Sequence, residues 1–162
     1  MTFNPVTPMI ARIQNLYLFL AALLAAASMF FPFWSFNAGH LILISDFSAS
    51  AITEVQYSLA CYAGTLSSPL TAIVSIAAIF FYSKRALQSK LILLAMALFI
   101  GDLLSALTAA HFMNQHFESI GTVITHRPEA GLFMLLPEPV LLWLALQGVK
   151  KDDKIANAYK RL

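Results

Sequence analysis

Four long apolar stretches, separated by polar or charged residues, set the pattern of this chain: residues 13–36, 66–82, 90–111 and 130–149. Each approaches the ~20 residues that a helix needs to cross a bilayer. In hydrocarbon every backbone N–H and C=O must be satisfied inside the segment, so only helices or closed barrels span. Continuous runs of Leu, Ala, Ile and Phe, without strict alternation, select helices. The pattern therefore predicts an all-α transmembrane fold, a four-helix membrane bundle in one domain over 1–162. Ala25-Ala26-Ala27-Ser28 has the small-residue character of a signal-peptide cleavage site. The apolar run continues through Met29-Phe30-Phe31, however, and the leader holds a single cation, Arg12. A retained span is the expectation.

The connections differ in kind. Residues 83–89 form a short link, so the second and third spans should be antiparallel neighbours. The other two loops, 37–65 and 112–129, are long enough to carry structure of their own. Leu41-Ile42-Leu43-Ile44 and the alternating Val55-Gln56-Tyr57-Ser58-Leu59 are β-prone and predict a small β-hairpin capping that face. No internal repeat supports an inverted-repeat transporter.

Charge then orients the bundle. Nine of the ten cations (Arg12, Lys84, Arg85, Lys90, Lys150, Lys151, Lys154, Lys160, Arg161) fall on one side and only Arg127 on the other. By the positive-inside rule both termini face the cytoplasm. Phe30, Phe31, Phe33, Trp34 and Phe36 would form an outer aromatic belt, with Tyr82 an inner anchor. Composition agrees: 59% of residues are hydrophobic and 11% charged, and mean hydropathy is +0.75. Such a chain cannot cover a water-exposed surface with charge, which excludes an ordinary soluble enzyme, a disordered tail and a nucleic-acid binder. The single cysteine, Cys61, excludes an internal disulfide and a multi-cysteine metal site and reads as a small apolar filler.

Two acids lie inside the predicted spans. Asp102 is twelve residues past Lys90, and Glu138 is twelve residues before Lys150. At 1.5 Å per residue both sit ~18 Å from the cytoplasmic boundary. No Lys, Arg or His shares that depth. An ionised acid there costs at least ~2.5 kcal/mol. Two functional readings follow: a proton relay or cation site, or a polar contact to a quinone-like ligand. The structural reading is a protonated acid bonded to a neighbouring helix or to a partner subunit. Ser105, one turn from Asp102, shares its face; Thr108 drifts off it, and Gly101 would let a helix approach closely. Pro137 and Pro139 flank Glu138 and remove two backbone donors, which predicts a kinked full span over 130–149, or alternatively a helix that starts after Pro137.

His40, His111, His116 and His126 all fall on the outer side, without a recognised metal or haem spacing. No nucleophile motif, phosphate loop or metal helix motif is present, so neither an enzyme nor a cofactor is expected. In the tail, 150–162, Ile155, Tyr159 and Leu162 follow an amphipathic helix spacing. Lys150, Lys151, Lys154, Lys160 and Arg161 could anchor it to the inner leaflet or dock a partner.

Met9-Ile10-Ala11-Arg12-Ile13-Gln14-Asn15-Leu16-Tyr17-Leu18, Phe31-Pro32-Phe33-Trp34 and the run from Lys150-Lys151-Asp152-Asp153-Lys154 to Leu162 resemble an uncharacterised bacterial family of short four-span inner-membrane proteins, a domain of unknown function. Residues 1–8 precede that family's usual opening, and Tyr159-Lys160-Arg161 departs from its usual ending. The resemblance implies four helices with both ends inside and assigns no activity. The resulting expectation is a non-catalytic integral protein of a bacterial cytoplasmic membrane. It would be an accessory or assembly subunit whose partners are the bilayer and other membrane subunits or itself. The alternative is a small proton- or cation-linked transporter or channel using Asp102 and Glu138, which with Ser105 form the candidate intramembrane polar site.

Overall fold

The computed structural model describes residues 7–47, 51–121 and 123–159. The chain runs α1 (Thr7–Ser28), β1 (Trp34–Asn37), β2 (Leu41–Ile44), α2 (Val55–Phe80), α3 (Arg85–Ser119), β3 (Thr125–Pro128), α4 (Ala130–Leu135) and α5 (Glu138–Tyr159). Three helical segments are long and apolar enough to cross a membrane: Val55–Phe80, Arg85–Ser119 and Ala130–Ala158; Ile13–Ser28 is a shorter apolar helix.

The first helix ends at Ser28 rather than near residue 36, because Pro32 has no N–H and disfavours helical backbone at Phe31. The N–H groups of Phe30 and Phe31 close a tight last turn on the carbonyls of Ala27 (3.0 Å) and Ser28 (3.2 Å). Beyond it, Trp34 and Phe36 enter a strand instead of extending a helical aromatic belt. The sheet is antiparallel, in the order β2-β1-β3. Gly39, at φ +87°, turns the three-residue link between β1 and β2. Leu41–Ile44 is therefore a hairpin strand as expected, but it pairs with β1, whose other edge pairs with β3. Val55–Leu59, read as a strand from its alternation, opens α2 instead, where Tyr57, Ala60 and Cys61 share one helical face turned to the core. Burial at helical spacing overrode local β-propensity.

α2 and α3 are joined by the short turn over 81–84 and pack side by side as antiparallel neighbours. α3 has 35 residues, about 52 Å of helix, and so outlasts a ~30 Å hydrocarbon layer and reaches the sheet. The last apolar segment is interrupted at Leu136–Pro137, between α4 and α5; helical bonding resumes with the Leu141 N–H on the Pro137 carbonyl (3.1 Å). Its first turn lies against the turn after α1. The Gly131 N–H donates to the Pro32 carbonyl (2.9 Å), and a Cβ at Gly131 would sit 2.6 Å from the Phe31 oxygen.

Two separate apolar cores result. One lies under the sheet and joins Phe33, Phe36 and Ile44 to Tyr57, Cys61, Met113 and Phe117. The other lies toward the α2–α3 turn and joins Leu18, Ala78, Ile92, Leu142 and Val149. Outward faces carry exposed Leu59, Leu66, Ile73 and Phe80 on α2, and Leu93, Ile100 and Leu104 on α3. At the end away from the sheet, Lys84, Lys90, Lys150, Lys151 and Lys154 are exposed. Lys160 and Arg161 lie outside the described residues. α5 continues through the tail; there Gln14 of α1 donates to the Asp152 carboxylate (2.8 Å), with its stem lying over Gly148.

Candidate functional site

Between the two cores lies a layer of buried polar side chains. On α2, Gly64, Ser68, Thr71 and Ser75 recur at i, i+4, i+7 and i+11, which places them on one helical face, and all four are buried. α3 supplies Asp102 (4% exposed) and Ser105, and α5 supplies Glu138 (1% exposed). Both acids predicted from depth therefore point into the protein and not toward lipid. The layer also holds a third acid, Asp46, from the loop after β2 (7% exposed).

Ser68 connects two of the three. Its Oγ is 2.9 Å from Asp46 Oδ2 and 2.8 Å from Asp102 Oδ2. A hydroxyl has one proton and can donate to only one of them. The second contact needs a proton on the other carboxyl, so the Asp46–Ser68–Asp102 unit is satisfied when it holds one acidic proton. The Asp46 loop is also tied to α2 by the Thr65 hydroxyl, which donates to the Asp46 carbonyl. Burial pushes the Asp46 carboxyl above its ordinary value of 3.8, and the Ser68 bond opposes that shift.

Gly64 makes room for this arrangement. A Cβ there would lie 3.1 Å from Ser105 Oγ, 3.3 Å from Asp46 Oδ1 and 3.6 Å from Asp102 Oδ1. Three polar groups thus converge on a position with no side chain. Pro69, next to Ser68, cannot donate to the Thr65 carbonyl, so the α2 ladder is locally open at this level. Ser105 shares the buried face of Asp102 as expected, but its hydroxyl donates to the Asp102 backbone carbonyl (2.7 Å). Thr108 is exposed and donates to the Leu104 carbonyl. Gly101 is exposed, with nothing within 4 Å of a Cβ built there, so it is not the close-approach point its position suggested.

Glu138 completes the layer. Neither of its carboxyl oxygens has a hydrogen-bond partner. Among the described residues the ion pairs are His116–Glu54 and Arg127–Glu129, neither of which reaches the three buried acids. No group of three His, Cys, Asp or Glu side chains among the described residues is placed to hold a metal ion. His126 accepts from the Trp34 indole (3.4 Å) and stacks near Phe36, while His111 and Asn114 line a cleft beside them. Glu129 accepts from the Ser35 hydroxyl (2.7 Å) and from Arg127 (2.9 Å), and these donors hold its carboxyl below the ordinary 4.5.

Asp46 escaped the sequence reading because it lies in a loop far from either span in sequence. The signal that could have found it is the buried-facing series Ser67-Ser68 beside Pro69 on α2, which needs an acid or carbonyl partner from outside the helix.

A mostly helical chain with three membrane-length apolar helices, a small sheet at one end and acids buried among its helices has the form of a membrane protein with an ionisable interior. The chain belongs to the family described as Domain of unknown function (DUF4293), whose model matches residues 10–162. No curated protein matches it, and no solved structure does.

Proposed function

We propose that this is a proton-linked membrane protein, a small transporter or channel in which Asp102 and Glu138 are the groups that gain and lose protons. The observation that carries the reading is Glu138: a carboxyl 1% exposed with both oxygens unpartnered. A buried acid serving only to hold helices together would have its oxygens bonded. An acid serving to contact a partner subunit would face outward. These acids face inward and lack cationic partners among the described residues, which suits groups that alternate between neutral and charged.

In this reading α1, α2, α3 and the α4–α5 segment are the four spans of a bacterial cytoplasmic membrane protein. The sheet lies outside. The end with Lys84, Arg85, Lys150, Lys151 and Lys154 lies in the cytoplasm, as the positive-inside rule requires. The test is proton flux into liposomes holding purified protein and a trapped pH dye, under an imposed potential. Wild type should conduct, and Asp102→Asn and Glu138→Gln should abolish flux while remaining folded. Equal flux in all three would overturn the reading.

A second reading, the accessory subunit of a larger membrane complex, is favoured by a different observation. Leu41 and Leu43 on the edge strand β2, and Phe47 beyond it, are 61%, 48% and 59% exposed. Exposed apolar side chains along the edge of a sheet are a surface that a partner could cover. A tagged pull-down from native membranes in mild detergent, with a native gel, tests it: a stoichiometric complex supports this reading, and a lone monomer or self-oligomer opposes it.

A further inference from the structure

A cleft of about 220 Å³ opens between the sheet and the C-terminal part of α3, and it shares no residue with the layer of buried acids. One wall follows from strand register. Trp34 and Phe36 are two apart on β1, and Phe36 pairs with His126 of β3, so the three side chains leave the same face of the sheet. That face is turned to the helices, since Phe36 packs on Phe117 of α3. The rings adjoin: His126 is 5.9 Å from Trp34 and 5.6 Å from Phe36, centroid to centroid. The opposite wall is α3, which brings Leu107, His111 and Asn114.

Three properties of the cleft select its occupant. It is uncharged: no Asp, Glu, Lys or Arg lines it, and the nearby Arg127 leaves the other face of the sheet and is held by Glu129 (2.9 Å). A phosphate headgroup would find no cation there. It offers donors beside a flat aromatic wall. The Trp34 indole N–H donates to His126 Nδ1 (3.4 Å), so the neutral imidazole carries its own proton on Nε2, available to a ligand. His111 supplies a second, exposed imidazole. Finally, it continues the apolar outer surface of α3. Ile100, Leu104, Leu107 and His111 recur at i, i+4, i+7 and i+11, on one helical face, and all four are exposed. Leu107 lies ~33 Å along the helix from Arg85, close to the ~30 Å of a hydrocarbon layer. Sites that enclose a whole ligand run to roughly 300–1,000 Å³; this one takes a head and leaves a tail outside, on the stripe.

We propose that the cleft binds the head of a lipid-soluble quinone. The planar ring lies against Trp34 and His126, its carbonyl oxygens accept from His126 Nε2–H and from His111, and its isoprenoid tail runs along Leu107, Leu104 and Ile100. A quinone head is flat, neutral and furnished only with acceptors, and it carries an apolar tail, which meets each property in turn.

The probe is a decyl-chain benzoquinone, added to purified protein in phosphatidylcholine nanodiscs. Quinones quench tryptophan on contact. Trp143→Phe leaves Trp34 as the sole tryptophan, and its fluorescence should fall along a saturating curve. His126→Leu removes a donor and a ring and should raise the half-saturating concentration about tenfold. His111→Leu removes a donor and should raise it about threefold. Both positions are exposed, and either variant alone decides the test if the other fails to fold. In Trp34→Phe the remaining Trp143, half-exposed on α5, should be quenched only in proportion to the quinone dissolved in the bilayer. A proportional, unsaturated response at Trp34 overturns the site, as does saturation unchanged by the histidine substitutions. Displacement of the quinone by an equal amount of diacylglycerol would mark a general lipid groove and overturn the quinone assignment.

Discussion

Replacing Ser68 with alanine deletes the hydroxyl that lies between Asp46 and Asp102 and leaves two buried carboxyls facing each other without a bridge. In water-soluble proteins a hydrogen bond to a charged group contributes about 1.5–3 kcal/mol, but side-chain bonds between membrane helices measure lower, averaging about 0.6 and reaching about 1.7 kcal/mol. Both bonds here end on carboxyls, which places each near the top of the membrane range. Their joint loss should cost about 2–4 kcal/mol. For a chain of this size that lowers the unfolding midpoint by roughly 5–15 °C. The assay is thermal or detergent-driven unfolding of purified protein in mild detergent. Ser105→Ala is the control: it removes only a local bond to the Asp102 carbonyl and should cost no more than about 1 kcal/mol. Ser68→Thr, which keeps a hydroxyl, should recover much of the loss. If Ser68→Ala costs no more than Ser105→Ala, the bridge does not hold the Asp46 loop to the helices.

Three further outcomes follow from the same geometry. Gly131→Ala places a Cβ 2.6 Å and 2.9 Å from two backbone carbonyl oxygens that cannot swing aside and should destabilise by about 3 kcal/mol, whereas Gly101→Ala meets nothing within 4 Å and should gain up to about 1 kcal/mol of helix propensity; unfolding midpoints of the pair decide it. Gly64→Ala pushes into Ser105 Oγ and Asp46 Oδ1 at 3.1 and 3.3 Å and should lower stability by about 1–3 kcal/mol while lowering proton flux in liposomes. Because the Asp46 carboxyl is raised above 3.8 in the fold, its contribution to stability is complete below that pH and is lost as pH rises through the folded value. Asp46→Asn should therefore flatten the fall in unfolding midpoint above pH 3.8, while Glu129, shifted downward from 4.5, acts with the opposite sign and loses its contribution as pH falls.

Much of this architecture is legible in the residues, for a simple reason. Apolar run length and the count from Lys90 and Lys150 locate Asp102 and Glu138 at a shared depth, because a helix advances by a fixed rise per residue. The interrupted last segment is likewise written in Pro137 and Pro139. What periodicity does not carry is pairing between distant segments. Phe33-Trp34-Ser35-Phe36 is apolar enough to prolong a helix, and only Pro32 and the arrival of Leu41–Ile44 and Thr125–Pro128 make it the centre of a sheet. Val55–Leu59 alternates like a strand, yet Tyr57 is wholly buried on a helix whose other face is apolar and exposed. The bridge at Ser68 needs a loop residue, Asp46, to fold back onto α2, and no local spacing encodes that return.

The shared proton is the claim on which the site depends, and infrared spectroscopy of the protein in bilayers reads it directly. At neutral pH a carbonyl stretch of a protonated carboxyl should be present, shift on exchange into heavy water, and change in both Asp46→Asn and Asp102→Asn. A neutral-pH spectrum without that band, or a band indifferent to both substitutions, would contradict a proton held between Asp46 and Asp102.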